Sequence, residues 1–81
     1  MSTHTLKIST EYAQSLFNKK KTFEIRKNDR DYKVGDYLEF KGWEHAFTLN
    51  VTHILSHKDF PEGIKEGYVI LSTRLLLPFA I

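Results

Sequence analysis

From residue 22 onward the chain never sustains a helical repeat. Apolar and polar residues alternate in short runs, broken at Gly35, Gly42, the Pro61-Glu62-Gly63 turn and Gly67. Alternation of this kind marks half-buried strands, and isolated Gly and Pro mark the turns between them. Thr22 to Lys27 is such a strand, with Phe23 and Ile25 on one face and Thr22, Glu24 and Arg26 on the other. Gly35-Asp36 leads into a second, in which Leu38 and Phe40 oppose Tyr37, Glu39 and Lys41. Ala46 to Leu55 is the longest strand candidate, and Tyr68 to Arg74 the last.

One segment carries helical spacing. Ser9 or Thr10 is placed as N-cap, Glu11 falls in the first turn, and Tyr12, Ala13, Leu16 and Phe17 form one apolar face. Asn18 is the expected left-handed stop, and Leu6 to Ile8 an opening strand. One helix and about five short strands predict an α+β, mainly β fold: a small curved sheet or barrel whose open side the helix covers.

At 81 residues the chain is expected to form one domain over 1–81, close to the lower size limit for a self-sufficient core. A hydrophobic fraction of 41%, with six Phe and four Tyr, can supply that core, which argues against disorder. The absence of Cys excludes disulfides, thiolate catalysis and Cys-based metal sites. MSTHTLKIST has no apolar stretch of the secretory kind, so a cytoplasmic location is expected. The apolar tail LLLPFAI is too short and interrupted to span a bilayer. It is either a weak self-association patch or a final strand packed on the chain's own core.

Charge is unevenly placed. Between Lys19 and Asp36 lie seven of the twelve Lys and Arg residues against four acids, about +3, while the rest of the chain sums to about −1. Lys19, Lys20 and Lys21 follow the helix, where its dipole favours cations without any ligand. On the polar strand face, Thr22, Glu24 and Arg26 are same-side neighbours about 6.6 Å apart per step, close enough to share one ligand. An Arg fork clamps phosphate or carboxylate, Lys adds a point charge, and Glu accepts from a base amino group or acts as a general base. Equally, Glu24 and Arg26 can balance each other on a solvated face.

Tyr32, Tyr37 and Trp43 lie near these cations in sequence, and bases stack on exposed rings; the competing placement is at the edge of the core. His53 and His57 have a four-residue spacing, but in a strand that leaves the rings about 13 Å apart, so neither these nor His45 is expected to bind metal. No Gly-rich phosphate loop is present, and no cofactor is expected.

The stretch LKISTEYAQSLFNKKKTFEIRKNDRDYKVGDYLEF, with the downstream VTHIL and EGYVILS, resembles the ASCH domains of the PUA-like superfamily, most closely a small bacterial and phage-associated branch. The likeness runs from Leu6 to Ser72 and centres on K-K-T-x-E-x-R-x-N-D-R and the later V-G-D. It implies a small PUA-like β-barrel with a capping helix and a cleft that takes RNA or a nucleotide-like anion. The expected ligand-binding residues are Lys20, Lys21, Glu24, Arg26, Lys27, Arg30 and Tyr37. Asn28 and Asp29 are expected to shape the turn, and Arg30 has a structural alternative as partner of Asp36 or Asp31. Some small ASCH proteins are amidohydrolases of N4-acetylcytidine, built on a Lys, a Thr nucleophile and an Arg. By that likeness the Lys falls on Lys21 and the Arg on Arg26, while the nucleophile's position holds Glu24. An enzymatic alternative would therefore need Lys21 and Glu24 to activate a water rather than a Thr hydroxyl to attack.

Overall fold

The computed structural model describes residues 1–41 and 47–76. Its elements run β1 (Thr3–Lys7), α1 (Thr10–Phe17), β2 (Phe23–Lys27), β3 (Tyr37–Lys41), β4 (Thr48–Ser56) and β5 (Tyr68–Leu76). Five strands form one curled, half-barrel sheet in the order β1-β3-β4-β5-β2, mainly β with one short helix, as the alternation predicts. Only β1 and β3 pair in parallel; the other neighbours are antiparallel.

The two free edges, β1 and β2, are consecutive strands joined through α1. The sheet curls until they approach each other. In β4 a register shift between Val51 and His53 leaves Thr52 as the extra residue, and such a bulge bends and further twists its strand. The bulge also changes which residues face inward, from Leu49 and Val51 before it to the partly buried Ile54 after it.

Ser9 caps α1, accepting from the Tyr12 amide at 3.4 Å. Ala13 and Leu16 are fully buried and Phe17 packs against the core, but Tyr12, expected on the same face, is 56% exposed. The eight-residue helix has room for only two fully buried positions. Asn18 closes the helix with φ −84°, and the left-handed residue is Lys19, at φ 62°. The core beneath is built on Leu38, Leu49, Val51, Val69 and Leu71, with the Phe40 and Phe47 rings tilted against each other at 5.3 Å between centroids.

Strand limits differ from the alternation pattern at the ends. β1 begins at Thr3, because Tyr37 N donates to Ser2 O and the parallel ladder with β3 starts at once. β5 continues to Leu76 because β4 pairs with it down to Thr48. Leu75, in the first part of the apolar tail, packs against the core. Residues 77–81 of that tail, and Trp43 and His45 of the Gly42 connection, lie outside the described residues.

A second buried cluster fastens β1. The Asp36 carboxylate is 2% exposed, pairs with His4 Nε2 at 2.8 Å and accepts the Ser2 and Lys33 amides at 3.0 Å. Burial alone would raise this carboxyl, but these bonds more than offset it and hold it below the ordinary value of 3.8. Asp36 is therefore not the partner of Arg30. Asp31 is not either, since Lys33 takes it at 3.2 Å on the surface.

Candidate functional site: a basic cleft at the free edge of β2

The alternation of β2 is present but turned around. Phe23 and Ile25 are 43% and 57% exposed, whereas Glu24 is 4% exposed. The expectation of an apolar inner face thus fails for this strand, and neither is Glu24 a solvated surface acid. A buried carboxylate is tolerated only when charge and hydrogen bonds satisfy it, and here both oxygens are engaged. Lys21 Nζ donates to Oε1, and Arg26 Nε donates to Oε2 at 3.0 Å.

Arg26 does more than balance Glu24. Its Nη2 donates at 3.0 Å to the carbonyl of Lys7, the last residue of β1. A single guanidinium thus ties the two free edges of the sheet together, with its planar donors fixed by a carboxylate on one side and a carbonyl on the other. The Arg26 guanidinium also lies 5.9 Å from the centre of the Phe40 ring.

Two adjoining clefts open at this junction. The larger, about 680 Å³, lies between the start of α1 and β2, with Ile8, Tyr12, Phe23, Ile25 and Tyr68 as apolar walls and Lys21, Glu24 and Arg26 as polar ones. The smaller, about 500 Å³, continues along Arg26 and Lys27 to Asp29, Arg30 and Tyr32. Lys7, Arg26 and Lys27 line both. Across the two, five cations face two carboxylates among the described residues, a local excess of positive charge that attracts anions.

The main chain of β2 adds to the cleft. Thr73 N donates to Thr22 O and Asn28 N donates to Gly67 O at the two ends of the β2–β5 ladder. In an antiparallel pair, residues of that same parity exchange the ladder bonds, so Glu24 and Arg26 bond β5. The amides and carbonyls of Phe23, Ile25 and Lys27 then turn to the other side, where, among the described residues, no strand pairs with β2 and the Lys27 carbonyl accepts from the Asp29 amide. Lys21 Nζ lies over the Tyr12 and Phe23 rings, 4.9 and 5.1 Å from their centres, so its charge is also held by two aromatic rings.

Of the seven expected ligand residues, the fold brings Lys21, Glu24, Arg26, Lys27 and Arg30 together around these clefts. Lys20 is exposed just beyond α1, and Tyr37 lies on β3 between β1 and β4; neither lines them. Tyr32 is 6% exposed, a core ring set edge-on to His4 at 4.7 Å, and not a stacking platform. Burial raises its phenol above the ordinary value, although Arg26 nearby works in the other direction. Lys7, Tyr12 and Tyr68 complete the walls and were not singled out by sequence. The pattern assigned Tyr12 to the apolar face of the helix, and nothing local marks Lys7 or Tyr68. His53 is exposed, and His57 bonds the Ile64 carbonyl at 2.6 Å in the turn after β4.

A family described as a domain of unknown function, DUF3850, matches residues 3–73. No curated protein matches the chain. Among solved structures, the crystal structure of hypothetical protein PH0355 is similar to it, with a TM-score of 0.67 and 20% identity, covering 94% of this chain and 100% of that one. At that identity the likeness concerns the fold.

Proposed function

Because the chain belongs to the DUF3850 family, a domain of unknown function, we propose a function from the cleft itself: a single-domain, PUA-like binding module of the ASCH kind that takes RNA or a nucleotide-like anion. The observation that carries this reading is the buried Glu24 holding Lys21 and Arg26 in fixed positions at the meeting of the two sheet edges. Preorganised cations bind an anion with little further loss of side-chain freedom. Arg26 and Lys21 would meet phosphate or a base carbonyl, and Lys27 and Arg30 would line the approach. The remaining lone pairs of Glu24 would accept from a base amino group. The resemblance in K-K-T-x-E-x-R-x-N-D-R supports the same reading, since it centres on the residues gathered here.

Amide-shift titration with short RNAs at about 50 and 200 mM salt tests it, because a phosphate-led interaction weakens through counterion release. Shifts should gather on Lys7, Lys21 to Lys27 and Arg30 and shrink at the higher salt. Their absence at both concentrations would defeat the reading.

The contact between Lys21 and Glu24 favours one other reading, a hydrolase of an acylated nucleoside using Lys21 and Glu24. Thr22, the neighbouring hydroxyl, lines a different concavity beyond Lys21, so it does not replace the missing nucleophile. Both Glu24 oxygens already hold cations, which suits an anchoring role better than that of a base. Incubation with a panel of acylated nucleosides, followed by chromatography, separates the two. Turnover that disappears in both Lys21→Ala and Glu24→Gln would replace the binding module with an enzyme.

A further inference from the structure

The two clefts are not the whole of the basic surface. A third concavity of about 320 Å³ lies at the start of β2, with Lys19, Lys21, Thr22, Thr73 and Arg74 around a floor of Leu16, Leu49 and Leu75. Among the described residues, three cations and no carboxylate line it, and Lys21 is the wall that it shares with the larger cleft. Lys19 and Arg74 are exposed, unlike the ion-paired Lys21.

The order of the three along one strand carries the inference. The third cleft lies at Lys21 and Thr22, just before β2, the larger one takes Lys21 and Phe23 to Lys27, and the smaller continues from Arg26 to Arg30. Each shares lining residues with the next, so they form one track rather than three separate depressions. Net positive charge stands at both ends, Lys19 and Arg74 at one and Lys27 and Arg30, with Lys7 and Arg26 against the single carboxylate of Asp29, at the other. The exposed rings of Tyr12 and Phe23 lie between them.

Five steps from Thr22 to Lys27 span about 17 Å. A free mononucleotide carries its phosphates at one end of a single base, and it cannot reach cations at both ends of such a track. We propose that the ligand of this track is a single-stranded oligonucleotide of about three to five nucleotides, with a base against Tyr12 and Phe23 and its outer phosphates on Lys19 and Arg74 at one end and Lys27 and Arg30 at the other. This rests on the anion-binding reading of the cleft and extends it to ligand length and to a second phosphate site. A duplex keeps its bases paired and stacked, and so has no free base face to offer the rings.

The test measures affinity for uridine monophosphate and for oligouridylates of about two, four and eight nucleotides. Each is titrated against the whole chain and against a Lys19→Gln, Arg74→Gln double variant. Amide shifts report the monophosphate and fluorescence anisotropy the longer ligands, with a duplex and the matching single-stranded DNA as further arms. Affinity should rise about tenfold or more from monophosphate to tetramer, change little from tetramer to octamer, and be weak for the duplex. The double variant should lose most of that gain, flatten the salt dependence by about one to two phosphates, and bind the monophosphate as before. Both side chains are exposed, and circular dichroism of the variant checks that its fold is intact.

Monophosphate and tetramer binding alike, with the double variant indifferent, would overturn the track and leave the cleft reading standing. Equal binding of the duplex would also overturn it. No shift with any ligand would remove both. The same length dependence with single-stranded DNA would support the track, since phosphates and base faces are common to both strands.

Discussion

Glu24 shows how one buried side chain can organise several exposed ones. Its oxygens hold Lys21 and Arg26, and Arg26 in turn holds the Lys7 carbonyl across the mouth of the sheet. Removing the carboxylate leaves two cations partly buried without their partner, so Glu24→Ala should lower unfolding free energy by about 2–4 kcal/mol in urea denaturation. Glu24→Gln, which keeps one acceptor oxygen, should cost less. Arg26→Ala should also destabilise, since it leaves the buried Glu24 with Lys21 alone, and where the variant is still folded by circular dichroism it should weaken RNA binding more than Lys20→Ala does, since Lys20 lies outside the clefts. Equal losses by titration would count against the placement. The residue types of this cluster were legible as charge and spacing. Its burial was not, because a Glu on an alternating strand reads the same whether it faces water or two cations.

Strand β2 buries the opposite face from the one its alternation suggests. Phe23 and Ile25 look like a core-facing pair, yet they are exposed, and the polar residues between them face the junction with β1. An edge strand has only one paired neighbour, and both of its faces reach the large cleft. Phe23→Ser and Ile25→Thr should therefore change stability by only about 0.5 kcal/mol, whereas Leu71→Ala, fully buried on β5, should cost about 2–5 kcal/mol. Similar denaturation midpoints for Ile25→Thr and Leu71→Ala would refute the orientation of β2. The cap of α1 was readable in advance: Ser9 bonds the Tyr12 amide, though at 3.4 Å, so Ser9→Ala should cost near the lower end of the usual range, about 0.5–1 kcal/mol. Gly35, the glycine of V-G-D, takes φ 96° to deliver Asp36 to His4, a conformation that a side chain would strain.

For the molecule as a whole, the Asp36 cluster and the cleft are mechanically linked through β1. One end of that strand is fastened by His4 and Ser2 to Asp36, and the other offers its Lys7 carbonyl to Arg26. The Asp36 carboxyl is lowered in the folded state, so the unfolded chain takes up the proton more readily as the medium becomes acidic. Its contribution to stability is full above the ordinary value of 3.8 and is lost as pH falls below it, through the folded value. Urea midpoints measured from pH 7 down to about 2.5 should fall on that limb, and Asp36→Asn should flatten it while lowering stability at neutral pH. An unchanged slope in the variant would mean that other carboxylates set the acid limit.

Local patterns determined the element types, the mainly β class with one helix, a helix start at Ser9 or Thr10, and where the positive charge gathers along the chain. Each of these depends on neighbours within a few positions, where the chain's periodicity and side-chain chemistry act directly. Tertiary structure alone decided which face of β2 is buried, that Asp36 takes His4 rather than Arg30, and that Arg26 reaches Lys7. Those partners are 32 and 19 residues apart in sequence, and nothing local specifies them. Curling the sheet brings its first and last edges together, and only that closure turns a basic run into a walled cleft.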